Sequence, residues 1–184
     1  MKIACLRGLL ILALLLGPAC WSGEAALDPA LQAAVDAQVK LIQTWAGDPV
    51  LVEAVKAQNA SLPPELAAMT EDKWKDLSKI DPFVRAFDQS AAGTFLKSKK
   101  SGLVIRIFLS DAAGRKVAFT AKTLKWSHKG DPKHEQPMAG KTWQGTMAQD
   151  EASGLEQIQV SVPVLDGGKP AGSLVVALSV SHLQ

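Results

Sequence analysis

The sequence predicts an α+β fold, with long N-terminal helices packed on a five-stranded antiparallel sheet. Three observations predict it. Residues 27–97 carry helical periodicity, residues 101–181 read as short strands and turns, and the last two strands form one long hairpin. In that hairpin Ile158, Val160, Val162 and Val164 alternate with Gln157, Gln159 and Ser161. Asp166-Gly167-Gly168-Lys169 supplies the positive-φ residues of a tight turn. Leu174, Val176, Leu178 and Val180 then line one face, with Ser173, Val175, Ala177 and Ser179 on the other. A strand that is apolar on one face and small on the other must be covered on both, and the small-residue side leaves room for a ligand pocket.

The helical part is built from capped segments. Asp28-Pro29 opens a helix over Leu27 to about Thr44, with Leu31, Val35, Ile42 and Trp45 at helical spacing. Asp48-Pro49 opens a second, Val50 to Gln58, and Ser61 to Pro64 reads as a linker. Thr70 to Ile80 is a short helix around Trp74 and Leu77. Asp81-Pro82 opens the last, Phe83 to about Lys97, with Phe83 and Phe87 inward. The strands follow: Leu103 to Leu109, a turn at Asp111-Ala-Ala-Gly114, Lys116 to Ala121, a long polar connection over Lys122 to Lys141, and Gln144 to Gln149. In the first strand Leu103, Ile105, Ile107 and Leu109 share one face, and Val104, Arg106 and Phe108 the other. Pro163 lacks a ladder donor and is expected at a bulge or an unpaired register.

Residues 1–26 read as a secretory signal peptide. Lys2 and Arg7 precede the apolar run from Gly8 to Leu16, and small residues follow, with cleavage expected after Ala19 or Ala25. Residues 27–184 are then a single exported domain, periplasmic or secreted. Lipidation at Cys20 is the alternative, although Gly17 stands where a lipoprotein signal wants Leu. Both cysteines, Cys5 and Cys20, fall in this leader, so disulfides and thiolate chemistry are not expected in the mature domain. The formal charge of +2 over 184 residues gives no footing for nucleic-acid binding. There is no tyrosine, no Gly-x-Ser-x-Gly elbow and no Walker loop, so neither an enzyme nor a cofactor is expected.

The order of parts resembles the extracytoplasmic PAS-like sensor domains, the Cache or PDC family. Four pieces carry the resemblance: Trp45 to Asn59, Asp81-Pro-Phe83, Ile107 to Gly114 leading into Val117 to Thr120, and Gln157 to Val164 followed by Gly172 to Ser179. The resemblance implies a long N-terminal helix on one sheet face. It implies a small-molecule pocket on the other face, under the connection between strands two and three. Family members sit between two membrane helices of chemoreceptors, histidine kinases or cyclic-nucleotide enzymes. Here no second apolar span follows Val180. The expectation is therefore a stand-alone sensing or binding domain, without an output module, that passes its signal to a separate membrane receptor or kinase. The alternative is a structural or partner-docking module without a ligand, pairing as a homodimer through the Leu31, Val35 and Ile42 face of the N-terminal helix.

The expected ligand is a small polar or anionic metabolite, and six residues are candidates to bind it. Arg106 lies mid-strand beside Phe108, and its guanidinium takes a ligand carboxylate, an internal ion pair or an edge position that reaches water. Trp126 lies in the long connection, where its indole either stacks on a ligand or packs on the sheet as a lid. Thr120, Lys122 and Trp143 flank the same region. His128, Asp131, His134 and Glu135 are metal-ligand types without metal-site spacing, and they read as a solvated polar loop. Asn59-Ala-Ser61 matches a glycosylation sequon.

Overall fold

In the computed structural model, residues 27–150 and 154–183 are described. The predicted leader, with Cys5 and Cys20, lies outside the described residues. The helices are α1 (Pro29–Ala46), α2 (Pro49–Ala60), α3 (Pro64–Ala67), α4 (Glu71–Asp76), α5 (Pro82–Gln89), α6 (Ala91–Ser98) and α7 (Pro132–Met138). The strands are β1 (Val104–Asp111), β2 (Lys116–Phe119), β3 (Trp143–Gln149), β4 (Glu156–Asp166) and β5 (Lys169–Ser179). They form one antiparallel sheet in the order β2-β1-β5-β4-β3. The β4–β5 hairpin turns on Gly167 and Gly168, at φ 55° and 81°, which only glycine adopts without strain.

The three Asp-Pro starts cap helices as their chemistry dictates. Asp28 accepts from the Ala30 N–H at 2.9 Å, Asp48 from Val50 at 2.9 Å and Asp81 from Phe83 at 2.8 Å. Leu31, Val35, Ile42 and Trp45 of α1 then pack with Leu51 and Val55 of α2 and Leu96 of α6 against one sheet face. That face presents Ile107, Leu109, Ile158, Val160, Val162, Val164, Leu174, Val176 and Leu178. The α1 stripe read above as a possible dimer seam is consumed here: Val35 and Ile42 are fully buried against the sheet.

Four local expectations are corrected. The segment from Phe83 to Lys97 is two helices, not one. Ser90 leaves the helical region at ψ 164° and caps α6, its hydroxyl accepting from the Gly93 N–H at 3.0 Å. A side chain on Gly93 would sit 2.3 Å from the Phe87 carbonyl, so glycine is required for α6 to fold back on α5. Strand β1 does not alternate cleanly. A bulge between Val104 and Arg106 puts Val104 on the helix-covered side with Ile107 and Leu109. The connection from Lys122 to Lys141 is not all loop, because it contains α7, whose His134 is 1% exposed. Asn59 is no free sequon. Its amide donates to the Ala171 carbonyl at 2.8 Å and its oxygen accepts from the Ala112 N–H at 3.0 Å, tying α2 to two strand ends. Pro163 stays in register with Ser173, and β4 shifts register just beyond it, between Val164 and Leu165.

The α1 face makes a direct stability prediction. Ile42→Ala should cost about 2–5 kcal/mol in urea denaturation, as expected for truncating a fully buried side chain. Val35→Glu should fail to fold instead of merely changing oligomeric state. A soluble, cooperatively melting Val35→Glu protein would contradict this packing.

Candidate functional site

The second sheet face is ordered by strand register. Directly paired residues share a face, so Phe119, Phe108, Val175, Ser161 and Trp143 form one row across all five strands. Arg106, Ala177 and Gln159 form the next row, and Ser110, Ser173 and Pro163 the row on the other side.

Two different covers lie on this face. Over the β1–β2 half is a closed aromatic cluster of Trp74, Phe87, Phe119 and Trp126, with Phe83, Val84, Phe108 and Val175 around it. Trp74 meets Phe87 edge-on at 5.9 Å and Trp126 at 5.3 Å, while Phe87 stacks on Phe119 at 5.3 Å. Over the β5–β4 half lies α7. The hydroxyl of Ser173 and the ring of His134 meet at 2.8 Å through Nδ1, and Nε2 of that ring lies 3.3 Å from the Ala112 carbonyl. Between the covers lies a cavity of about 550 Å³. Its floor is Arg106, Phe108, Gln157, Gln159 and Trp143; its roof is Thr123 to Lys125, His128 and the start of α7; β3 and Asp150 close one side. Gly145 lets the Trp143 ring lie along the strand, since a side chain there would come within 2.8 Å of it.

The roof is held from behind by α4. The Glu71 carboxylate accepts the Trp126 and Ser127 amides at 2.9 and 2.8 Å, and the Trp74 indole donates to the Thr123 carbonyl at 2.8 Å. Hydrogen bonds to a charged acceptor contribute about 1.5–3 kcal/mol each, so this clamp fixes where Thr123, Lys125 and His128 point.

Electrostatically the site is made of engaged pairs. Arg106 donates to Asp150, at 3.0 Å in the ion pair, and Asp150 is 4% exposed. Lys125 holds both oxygens of Asp131, at 2.8 and 2.9 Å, and Asp131 also meets His128 Nδ1 at 2.7 Å. The Lys133 ammonium donates to the neutral Gln159 amide oxygen at 2.7 Å. The His128 ring stacks on Phe108 at 4.7 Å, and its Nε2 has no protein partner. Burial, and next the Lys116 amine, push its pKa down to about 3 against the pull of Asp131, so it is neutral. Lys116 lies fully buried behind this wall, its amine 4.2 Å from the Phe108 ring centre and without a hydrogen-bond partner. Burial first, then Lys133, drives its pKa well below the usual lysine range.

The six sequence candidates therefore divide. Arg106, Phe108 and Trp143 line the cavity together. Trp126 is 4% exposed within the aromatic cluster. Thr120 spends its hydroxyl oxygen on the Ile107 N–H at 3.0 Å, and Lys122 lies 4.8 Å over the Trp74 ring; these three are not among the lining residues. His128 and Asp131 do line it, although sequence reading left them in a solvated loop. The missed residues are Lys133, Gln157, Gln159 and Asp150. The alternation of Gln157 and Gln159 with apolar neighbours was the available signal for two of them. Among the described residues no cluster of His, Cys, Asp and Glu is arranged to hold a metal.

Two measurements check this geometry. Glu71→Ala should speed amide exchange at Trp126 and Ser127 by roughly tenfold or more, the equivalent of about 1.4 kcal/mol; unchanged protection would mean the clamp is idle. The His128 ring should stay neutral in NMR spectra from pH 8 down to 5. Its folded pKa lies below the unfolded value near 6.5, so the unfolded chain takes the proton first as pH falls. Its contribution to stability is full above pH 6.5 and is lost toward pH 3. His128→Gln should therefore lose less stability than the parent between pH 7 and 5, and equal losses would contradict a buried neutral ring.

No protein-family model matches the sequence, and no curated protein matches it. Solved structures do. The sensor domain of E. coli DcuS superposes with a TM-score of 0.53 at 14% identity, over 85% of this chain and 96% of that one. The V. cholerae histidine kinase DctB sensor domain gives 0.48 at 16% identity, over 83% of this chain and 53% of that one, so the chain spans about half its length. At such identities the likeness shows the fold alone, and it agrees with the helix-backed, five-stranded sheet described above. The chain carries the PAS-like fold of the extracytoplasmic Cache, or PDC, sensor domains.

Proposed function

We propose that residues 27–184 form a single exported sensing or binding domain, which takes a small polar or anionic metabolite between its sheet and the Thr123–Lys133 cover. The observation that carries this reading is the cavity of about 550 Å³, with one aromatic wall and converging polar groups. Arg106, Phe108 and Trp143 line the floor with Gln157 and Gln159, and Lys133 joins them from the cover. Lys122 and Trp126 serve in the aromatic layer behind the roof, and Thr120 supports β1 through Ile107. The solved DcuS structure, which shares this fold, is named as a sensor domain.

Binding shifts a conformational equilibrium only by its differential affinity for the two states. The roof is the part of the site with such a choice, because its position depends on α4. A ligand that tightens the roof pulls on Glu71 and Trp74, and so on the helices beside them. That displacement is the signal a separate membrane receptor or kinase would read. A homodimer through α1 is not favoured, since Val35 and Ile42 are spent in the core.

Thermal-shift screening of organic acids, amino acids and amines tests the reading. A ligand at a hundred times its Kd adds about 2.7 kcal/mol, which raises Tm by roughly 5–10 °C in a domain of this size. Ala148→Trp, which fills the cavity from the exposed β3 edge, should abolish the shift without lowering the unliganded Tm. Silence across the library in both proteins would sink the pocket.

A further inference from the structure

We infer that this pocket selects ligands carrying one negative charge, a monocarboxylate with an apolar or neutral body, and that Lys133 is the residue that sets this selectivity. The inference rests on the pocket reading above and refines it by counting charges. Among the described lining residues there are three cations, Arg106, Lys125 and Lys133, and two carboxylates, Asp131 and Asp150. Each carboxylate already holds a cation: Asp150 holds Arg106 at 3.0 Å and Asp131 holds Lys125 at 2.8 Å. His128 is neutral, and Lys116 behind the wall is held toward its neutral form by burial. Lys133 differs from the other two cations, because its hydrogen-bond partner is the uncharged amide oxygen of Gln159.

An ammonium has three donors. One goes to Gln159, so two remain for a carboxylate arriving from the cavity. Lys133 is half-buried, and desolvation lowers its pKa. A carboxylate beside it offsets that desolvation, as an opposite charge does for any buried cation. The remaining wall suits an apolar body: Phe108, Trp143, Leu124 and Pro132 line the same space.

The same count disfavours other charge types. A dicarboxylate brings a second negative charge, and Arg106 can answer it only by drawing away from its ion pair with the buried Asp150. A zwitterion brings an ammonium, and both lining carboxylates are already engaged. Arg106, which the sequence nominated for the ligand carboxylate, thus acts through Asp150 as part of the wall.

Three four-carbon probes that differ only in charge test this: butyrate, succinate and 4-aminobutyrate, measured by isothermal titration on the chain from residue 27. Butyrate should bind at least roughly tenfold more tightly than the other two. Lys133→Gln should cost about the same factor for butyrate while leaving Tm unchanged. Asp150→Asn, where it folds, frees Arg106 and should move the butyrate-to-succinate ratio toward succinate. Equal or tighter succinate binding in the parent, or a Lys133→Gln protein that keeps its affinity, overturns the inference and leaves the pocket standing. A hit from the wider library that is not a monoanion does the same if all three probes are silent. Silence across everything removes the pocket reading and this one with it.

Discussion

The constraint on which the rest of this structure depends is the burial of β5 on both faces. It is the central strand of five, with Leu174, Val176 and Leu178 on one side and Ser173, Val175, Ala177 and Ser179 on the other. The large side chains demand a greasy cover, and α1, α2 and α6 provide it. Each fully buried aliphatic contributes about 1.5–3 kcal/mol, so this face holds the helices to the sheet. The small side chains cannot fill the opposite layer by themselves. Helix α7 covers Ser173 and the aromatic cluster covers Val175, and the cavity opens beside them, lined from β1, β4 and β3.

The second face shows how that space is limited. Aromatic rings close it over β1 and β2, where Phe108 and Phe119 rise from the sheet to meet Trp74, Phe87 and Trp126. Helix α7 closes it over β5 and β4, with His134 seated on Ser173. The cavity lies between these two solid regions, lined by Arg106, Gln157 and Gln159, whose polar ends bond to Asp150 and Lys133. Its roof is a short loop, and loops place side chains poorly unless something fixes their backbone. Glu71 and Trp74 do so from a helix that takes no part in the lining.

Charge is handled economically. Arg106 with Asp150, Lys125 with Asp131 and Arg115 with Asp111 are all paired within the protein. Unpaired buried charge is costly: burial drives the Lys116 pKa well below the usual lysine range and holds His128 neutral. The lining is thus nearly neutral in its resting form, so its preference for ligands is set by the few groups whose partners are uncharged.

By itself the sequence determined the α+β class, the capped helix starts at Asp28, Asp48 and Asp81, the β4–β5 hairpin with its Gly167-Gly168 turn, and the face on which small residues lie. These follow from short-range rules, because a cap, a turn or an alternation is written in neighbouring residues. It also nominated Arg106, Phe108 and Trp143, three residues that line the cavity. Only the tertiary structure decided the rest. The break at Ser90 depends on how closely α6 approaches α5, and the polar stretch around Pro132–Met138 becomes a helix because the bare half of the sheet must be covered. Arg106 and Asp150 are 44 residues apart and Glu71 and Trp126 are 55 apart. Nothing local marks such pairs, so whether Arg106 meets a ligand or an aspartate, and whether Trp126 faces the cavity or the aromatic cluster, is settled by which distant segments the sheet brings together.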